Sequence, residues 1–433
     1  MVLVMHTTSY NVAAFVRGCE NAGLKAVIAS DRCHMLDGVW RWPSDSLLID
    51  FYDPPGAAAA IAARLEGLPP VRAVVPVGGE VAVHVATLAA RRLALSGNDP
   101  AAAEAAASKL RMRELCAAAA VHDGALRVPA FQVFPFDSAA DQVAAVVSRN
   151  IGWPCVVKPL LLSGSRGVIR ADDAPSLASA LARVHRLLSA PELLKMGGDS
   201  AASRQILIET FVSGAEVALE GLLTDGTLRT LALFDKPDPL EGPFFEETLY
   251  VTPSRHPPAA QAAVERAVQS AARALGLWTG PLHAEVRLGP DGPVVIEVAA
   301  RSIGGLCSRT LRFGTGFSLE DLIIRHAVDG LGENDPSDQV TREQSPAGVM
   351  MIPIPRAGVL KEVRGAAAAG AVPGIEEIVI SVGVGATLTP LPEGASYLGF
   401  IFARGGSPEA VESSLRAAHA QLRFEITPLL SVF

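Results

Sequence analysis

Cysteine is scarce in this sequence, and its spacing argues against two classes of site. The 433 residues contain five cysteines, scattered without any CxxC pair: Cys19, Cys33, Cys116, Cys155 and Cys307. An odd number of scattered cysteines indicates neither a zinc site nor a disulfide framework. None of them belongs to a convincing catalytic triad. We therefore expect a protein of the reducing cytoplasm.

Long apolar runs and clusters of basic residues are also missing. No uninterrupted stretch of about 18 apolar residues occurs, and the apolar run at residues 1–5 is too short for a signal peptide or a membrane span. No Lys/Arg cluster offsets the net charge of −8, which argues against a general nucleic-acid binder. With 49% hydrophobic and 19% charged residues, the chain is expected to form two or three packed units without membrane or nucleic-acid partners.

The first hundred residues alternate strand-like and helix-like segments. Residues 2–5, 25–30 and 71–76 predict strands, residues 11–22 predict a helix, and a second helix should follow Gly78-Gly79. This βαβ alternation is typical of a parallel, doubly wound sheet. The glycine pair follows a strand, where such folds bind ligands; a plain tight turn is the alternative.

The remaining residues predict two lobes and a smaller C-terminal part. Short strands with two helices are expected across residues 125–210, and longer antiparallel strands follow from residue 216, interrupted by a helix at about 258–275. We predict four units: an N-terminal α/β domain with its linker helix (1–124), a lid (125–211), a catalytic lobe (212–335) and a small C-terminal lobe (336–433).

Two carboxylates are predicted to face each other across a hairpin. The segments around Glu285 and Glu297 alternate polar and apolar residues, with Leu282, Ala284, Val286, Leu288, Val294, Ile296, Val298 and Ala300 toward the core. If residues 290–292 form a three-residue loop, Glu285 lies opposite Glu297 with Cβ atoms roughly 5 Å apart. Two such charges are destabilising unless one is protonated or a cation lies between them, and Mg²⁺ fits as that cation. The alternative is an exposed face whose carboxylates pair with Arg287 and Arg301.

A lysine and a loop of small residues form a second candidate feature. Lys158 ends an apolar strand, and Ser163-Gly164-Ser165-Arg166-Gly167 precedes the next strand. Small residues let backbone N–H groups approach phosphate oxygens, and the lysine adds a positive charge. This is no Walker A motif, because GK[ST] is absent and no helix follows. A plain hairpin is the alternative interpretation.

The order of these motifs resembles the ATP-grasp superfamily over about residues 70–330. An apolar strand reaches Glu209 and a short crossing segment leads to Glu216. The resemblance implies an α/β and α+β fold that has an N-terminal doubly wound parallel-sheet domain, a mobile lid lobe and a C-terminal catalytic lobe. It also implies ATP and Mg²⁺ as ligands, with Mn²⁺ as an alternative metal, and it allows a homodimer.

The resemblance assigns roles to individual residues. It implies that Lys109, which has Arg113 four residues on, and Lys158 bind phosphates, and that residues 163–167 close over the γ-phosphate. The hinge Glu209, Thr210, Phe211 and Val212 would hold adenine, largely through its main chain, and Glu216 the ribose. Glu285 and Glu297 would ligate Mg²⁺, while Arg301 would steady an acyl phosphate. The implied ATP-binding residues are Lys109, Lys158, Ser163, Gly164, Ser165, Gly167, Glu209, Thr210, Phe211, Val212 and Glu216.

One departure from the superfamily points to a subfamily. The common motif acid-x-Asn-x-Arg is here Glu297-Val-Ala299-Ala-Arg301, so one metal or phosphate ligand is missing. This form, followed by Gly304-Gly305, is similar to the L-amino-acid ligases that make dipeptides, as are Asp235-Lys236-Pro237 and residues 242–248. A carboxylate–amine ligase is implied, which forms an amide through an acyl phosphate and releases ADP and phosphate. Its substrates would be amino acids or other small carboxylates and amines.

The amino-acid site is expected around Glu246, Glu247, His283, Arg301, Ser302, Gly304 and Gly305. Glu247 would hold the ammonium group of the first substrate, and His283 would help accept the proton of the amine. A solvated glutamate loop and a structural histidine are the alternatives. For the whole chain, two other hypotheses stay open: a carboxylase or purine-ribonucleotide ligase of the same superfamily, or a weakly catalytic nucleotide-binding protein.

Overall fold

The computed structural model describes residues 1–6, 9–31, 46–66, 70–160, 162–191, 193–194, 201–314, 316–329 and 342–429. Cys33 and the segment 330–341 lie outside these residues. Within the described part of the chain, no helix combines the length and the apolar character needed to cross a bilayer.

The N-terminal unit is a parallel four-stranded sheet, as the βαβ alternation predicts. The strand order is β3-β2-β1-β4, and successive residues of β1 contribute alternately to cores on the two faces of the sheet. A parallel sheet needs such cover on both faces. Its elements are β1 (Val2–Met5), α1 (Val12–Asn21), β2 (Val27–Ser30), β3 (Ser46–Leu48), α2 (Pro54–Leu65), β4 (Val74–Val77) and α3 (Glu80–Arg92).

Two short linker helices, α4 (Pro100–Ala107) and α5 (Lys109–Ala120), lead to the next unit. Each begins at a capped residue: Asp99 accepts from the N–H of Ala101, and Ser108 accepts from that of Arg111. The Ser108 cap fixes the start of α5, so that Lys109 lies in its first turn and Arg113 one turn further on.

The second unit, here called the lid after its predicted role, is an antiparallel sheet with the strand order β5-β8-β6-β7, covered by two helices. Helix α7 begins at a capping box formed by Asp173 and Ser176. The elements are β5 (Phe131–Pro135), α6 (Ala140–Asn150), β6 (Cys155–Pro159), β7 (Ile169–Ala171), α7 (Ala174–Leu188) and β8 (Gln205–Thr210).

Most strands in the rest of the chain belong to one eight-stranded sheet, whose strand order is β13-β12-β9-β10-β11-β14-β18-β16. Its first part comprises β9 (Ala215–Thr224), β10 (Thr227–Lys236), β11 (Leu249–Thr252), α8 (Pro258–Leu275), β12 (Gly280–Gly289), β13 (Gly292–Ala299) and α9 (Leu319–Asp329).

Strands from the last hundred residues complete this same sheet. They are β14 (Ala347–Ile352), β16 (Ile375–Ile380) and β18 (Gly399–Arg404). A small second sheet and two helices pack beside them: β15 (Gly358–Arg364), α10 (Ala366–Gly370), β17 (Thr387–Leu388), α11 (Pro408–Gln421) and β19 (Arg423–Thr427). The combined α/β and α+β fold class is confirmed, whereas the unit boundaries at residues 124, 211 and 335 stay predictions.

The β12–β13 hairpin differs from the prediction in its loop and in its core face. Gly289 pairs with Gly292, so the connection has two residues instead of three. A bulge after Val295 then shifts the register by one residue and places Glu285 opposite Glu297. Val295 therefore lies in the core, and Ile296 lines a cleft instead. The expected inward orientation of Val294 and Ile296 was wrong because the bulge breaks the two-residue period.

Candidate active site

One cleft contains most of the residues that the sequence singled out. Its lining comes from the first turn of α5, the lid strands, and strands β9, β12 and β13. The predicted residues in the lining are Lys109, Lys158, Ser163, Gly164, Ser165, Glu209, Thr210, Phe211, Val212, Glu216, Glu247, Glu285 and Glu297. The predicted residues outside the lining are Gly167, Glu246, His283, Arg301, Ser302, Gly304 and Gly305.

Residues 163–167 are here called the phosphate loop, after the role that the resemblance implies. Residues 163–165 of this loop line the cleft together with Lys109 and Lys158. The Lys109 ammonium donates to the carbonyl of Leu162, which directly precedes the loop. Gly164, Ser165 and Gly167 all have positive φ values, of 62°, 56° and 72°. Glycine adopts this left-handed region without steric cost, so two of the three positions suit the residue present. The loop is therefore a tight turn, with a lysine fixed beside it.

Glu209 is a buried carboxylate held by two cations. Arg113 donates to it from Nε at 2.9 Å and from Nη2 at 3.3 Å, and Lys158 forms an ion pair with it. Burial alone would raise the pKa of Glu209, but Arg113 and Lys158 reverse this effect and lower it to about 2. The Glu209 side chain thus fixes Lys158 in the cleft wall and joins the lid to α5.

The hinge after β8 is tied to its surroundings through its main chain. The N–H of Thr210 donates to the carbonyl of Ala130, and the N–H of Phe211 donates to the carbonyl of Pro154. The carbonyl of Val212 accepts from Arg287 at 2.7 Å. The Phe211 ring lies 4.3 Å from the Arg170 guanidinium. The hinge is therefore held at both ends, and an aromatic ring lines the cleft between them.

Lys236 lies at the centre of three carboxylates, those of Glu216, Glu247 and Glu285. Its ammonium is 2.7 Å from Glu216, 2.5 Å from Glu247 and 3.3 Å from Glu285. Burial alone would lower the pKa of Lys236, but the three carboxylates raise it well above its ordinary value. Oxygen atoms of these glutamates lie within 4.8 Å of one another, close enough to surround one metal ion.

Positive charge at this cluster does not balance the negative charge of its carboxylates. Burial raises the pKa of Glu285; Lys236 opposes this, and Glu216 and Glu297 add to it. For Glu247, burial first and Glu285 second raise the pKa to about 7, against the opposing effect of Lys236. Glu247 also accepts from the Tyr250 hydroxyl at 2.9 Å, so it does not belong to a solvated loop. A further cation would relieve this repulsion.

The two arginines of the hairpin have partners other than Glu285 and Glu297. Arg287 donates to Glu216 at 2.9 Å, and Arg301 donates to Glu80 at 2.9 and 3.1 Å. Among the described residues, no ion pair joins either arginine to Glu285 or Glu297. Burial would lower the pKa of Arg301, but Glu80 and then Glu297 raise it, so Glu297 attracts Arg301 without bonding to it.

His283 lies in a buried chain of polar groups beside the cleft. Its Nδ1 is 3.2 Å from Glu220, and its Nε2 is 3.8 Å from Glu285. Glu220 also accepts from the N–H of Ile303 at 3.0 Å, which links the histidine to the segment after β13. In that segment, Arg301 donates to the carbonyl of Ser302 at 3.1 Å.

Two glycines follow Ser302, and they differ in what surrounds them. A Cβ on Gly305 would lie 3.1 Å from the Phe400 ring, and the φ of Gly305 is 62°. No atom lies within 4 Å of a Cβ on Gly304 among the described residues. A side chain at position 305 would therefore be strained, whereas the space beside Gly304 is open.

Four charged residues that the sequence interpretation did not assign to the site lie in it or beside it: Glu80, Glu220, Lys236 and Arg287. Lys236 and Glu220 extend from β10 and β9. Strand register could have indicated Glu220, but a register shift in β10 hides the position of Lys236. Lys236 pairs with Glu216, and Glu220 pairs with His283. Glu80 begins α3 directly after the Gly78-Gly79 turn. The only sequence signal for its place in the site was this position near the carboxyl end of a strand, where such folds bind ligands.

Comparison with known proteins identifies two domains in this chain. Residues 151–310 match the ATP-grasp domain, and residues 350–427 match the L-amino acid ligase C-terminal domain 2. The crystal structure of an L-amino acid ligase from Bacillus licheniformis superposes with a TM-score of 0.81 and 25% identity, covering 98% of each chain.

Two relatives share part of their sequence with this chain. Protein y4rH of Sinorhizobium fredii is 29% identical over 78% of this chain and 65% of its own length. Dapdiamide A synthase of Enterobacter agglomerans is 26% identical over 38% of this chain and 37% of its own length. This chain thus spans less than two thirds of either relative. The chain therefore contains an ATP-grasp domain followed by an L-amino acid ligase C-terminal domain, and its fold is similar to that of the L-amino acid ligase.

Proposed function

We propose that this protein is an ATP-dependent carboxylate–amine ligase that joins two amino acids, or an amino acid and another amine, through an amide bond. The observation that carries this proposal is the cleft in which Lys158 and the phosphate loop lie together with Glu285 and Glu297. Phosphoryl transfer requires such a combination of positive charge, backbone donors and metal-binding carboxylates. The L-amino acid ligase C-terminal domain favours amino acids as substrates.

ATP would lie between the lid and the central sheet. Lys109, Lys158 and the phosphate loop would hold its phosphates, while residues 209–212 would border the adenine and Glu216 the ribose. The Phe211 ring, which lines the cleft, supports this orientation because an aromatic face stacks well on a base. Glu216 is already bonded to Lys236 and Arg287, so its ribose contact would have to use remaining acceptor capacity.

Glu285 and Glu297 would hold Mg²⁺ between them. The raised pKa of Glu285, caused by burial and increased by Glu216 and Glu297, supports a cation beside this pair. The bound metal would neutralise developing charge on the transferring phosphoryl group. Mn²⁺ would serve as well, since carboxylate oxygens suit both ions. Lys236 already occupies the centre of the Glu216, Glu247 and Glu285 group, which favours the hairpin pair as the metal position.

The reaction would take two steps. An oxygen of the substrate carboxylate attacks the γ-phosphorus, and the bond to the β–γ bridging oxygen breaks to release ADP. The amine nitrogen then attacks the carbonyl carbon of the acyl phosphate, phosphate leaves, and the nitrogen loses a proton. Arg301 would steady the acyl phosphate, and His283, with Glu220 behind it, would accept the proton.

The amino-acid substrates would bind beyond the metal pair, toward residues 302–305. Glu247, Glu246 and Ser302 would bind polar groups, Gly304 would leave room for a substrate, and Gly305 would border it. The open space beside Gly304 supports this placement.

The protein would act in the cytoplasm. Cys19, Cys116, Cys155 and Cys307 are free, buried thiols, which supports a reducing compartment.

The decisive experiment is a phosphate-release screen over pairs of amino acids, followed by mass spectrometry of the product. We expect release of ADP and phosphate together with a product lighter than the two substrates by one water. Release of AMP would exclude the acyl-phosphate route. A carboxylated product that forms only with bicarbonate would identify a carboxylase instead. Background ATP turnover with every pair would indicate a nucleotide-binding protein without catalysis.

A further inference from the structure

The phosphate loop touches a segment of the C-terminal part of the chain, residues 391–395. The N–H of Gly167 donates to the carbonyl of Pro392 at 2.8 Å, and Arg166 Nε donates to the carbonyl of Glu393 at 2.6 Å. A Cβ on Gly164 would lie in ordinary contact with Ala395 at 3.5 Å. Three of the five loop residues are therefore matched to this segment.

The Glu393 side chain fixes the same segment to a lid helix. Arg183 of α7 donates to Glu393 from Nε at 2.5 Å and from Nη2 at 2.9 Å, a two-pronged ion pair. The Arg183 guanidinium also lies 4.8 Å from the Phe244 ring. Glu393 thus meets the lid at two places, through its carbonyl at the loop and through its carboxylate at α7.

The other end of this connection belongs to the central sheet. Residues 391–395 lie between β17 and β18, and β18 is hydrogen-bonded on both sides within the eight-stranded sheet. A motion that lifts the lid from the central sheet must therefore break the contacts of Gly167, Arg166 and Arg183 with this segment.

We propose that residues 391–395 form a latch that holds the phosphate loop over the nucleotide, with Glu393 as its positioning residue. The latch opens when the nucleotide is exchanged. This inference rests on the proposed nucleotide site, but it assigns to the C-terminal part a role in closing the lid, apart from any role in substrate choice.

The exposure of the ion pair suits repeated opening. The side chains of Arg183 and Glu393 are each 38% exposed, so solvent screens their attraction. A fully buried pair would hold the lid too tightly for exchange in each cycle. Three loop residues, Gly164, Ser165 and Gly167, have left-handed backbone conformations. The hydrogen bond from the N–H of Gly167 to the carbonyl of Pro392 in the latch helps to hold the loop in this conformation.

Glu393→Gln tests the latch, because it removes the charge and nearly preserves the shape. We expect dissociation of a fluorescent ADP analogue with Mg²⁺ to accelerate by about two- to fivefold, the effect typical of an exposed ion pair. Hydrogen exchange of residues 163–167 should accelerate by a similar factor in the protein without nucleotide. The charge reversal Arg183→Glu with Glu393→Arg should return both rates toward those of the original protein. Glu362→Gln, which breaks a pair with Arg364 in its own strand, is the matched control.

The two readouts separate the latch from the function on which it rests. Failure of the original protein to bind the analogue would contradict the proposed nucleotide site, while hydrogen exchange would still test the contact. Unchanged dissociation and unchanged exchange in Glu393→Gln would overturn the latch, provided that its thermal unfolding matches that of the control. Acceleration in both variants alike would also overturn it, because the effect would not be specific to Glu393.

Discussion

Glu285 and Glu297 lie directly opposite each other on adjacent strands, although a two-residue loop with regular pairing would place Ile296 there. The bulge after Val295 adds the missing residue on β13. As a result, two consecutive side chains, those of Ile296 and Glu297, both line the cleft. The irregularity therefore brings an apolar wall and a second carboxylate to the same site.

The carboxylate pair predicts that the proposed ATP turnover depends on a metal ion. Glu297→Gln should lower Mg²⁺-dependent ATP turnover by about a hundredfold or more, since even residues that only support a metal ligand are worth about 10–100-fold. Turnover should be measured across a range of Mg²⁺ and Mn²⁺ concentrations, together with thermal unfolding. Glu265→Gln, on an exposed position of α8, is the control. Retention of full turnover by Glu297→Gln would remove Glu297 from the metal site.

The sequence predicted the facing carboxylates through two errors that cancelled. A three-residue loop with regular pairing and a two-residue loop with a bulge place the same two residues opposite each other. The correct arrangement could not be read from the pattern, because a bulge depends on tertiary packing and leaves no fixed residue type. Along β12, core-facing and outward-facing residues alternate without interruption, so the residues on its core face were predicted correctly.

Lys236 predicts a dependence of stability on one buried cation. Lys236→Met should destabilise the protein by about 3–5 kcal/mol in the presence of a chelator, because three carboxylates lose their shared partner. Urea unfolding measures this loss. Combining Lys236→Met with Glu247→Gln should recover part of it, since one of the uncompensated charges is gone. A double variant no more stable than Lys236→Met would show that the carboxylates do not couple through Lys236.

Register also explains why Lys236 was missed from the sequence. Its strand is joined to β9 by a two-residue turn, and regular pairing would place it opposite Ala215. A shift between Thr230 and Ala232 moves it opposite Glu216. The motifs of the lid and the hinge, in contrast, depend on order along the chain, so the sequence alone was sufficient to place them in one cleft.

The Arg301–Glu80 contact predicts that the N-terminal domain supports catalysis. These residues are separated by 221 positions, so no local pattern could have joined them. Glu80→Gln should lower kcat by about tenfold and leave KM for ATP nearly unchanged, because Arg301 loses its orientation but the nucleotide contacts remain. Steady-state kinetics with saturating amino acids tests this split. The control is Glu104→Gln on the exposed side of α4. A change confined to KM for ATP would place Arg301 at the nucleotide instead.

Glu209 predicts how acid destabilises the fold. Its pKa falls from an ordinary value of 4.5 to about 2, because Arg113 and Lys158 overcome the opposing effect of burial. A carboxylate with a lowered pKa contributes its full stabilisation above pH 4.5, and this stabilisation is lost as the pH falls toward about 2. The difference between the two values corresponds to roughly 3 kcal/mol.

Glu209→Gln should therefore lose roughly 3 kcal/mol of unfolding free energy near neutral pH, and its stability should depend less on pH below 4.5 than that of the original protein. Urea unfolding at a series of pH values measures both effects, with Glu104→Gln again as the exposed control. The variant and the original protein should converge as the pH approaches 2, where Glu209 takes up its proton. If the difference in unfolding free energy between the two proteins stayed constant across this range, Glu209 would stabilise the fold through packing and neutral hydrogen bonds, without a contribution from its charge.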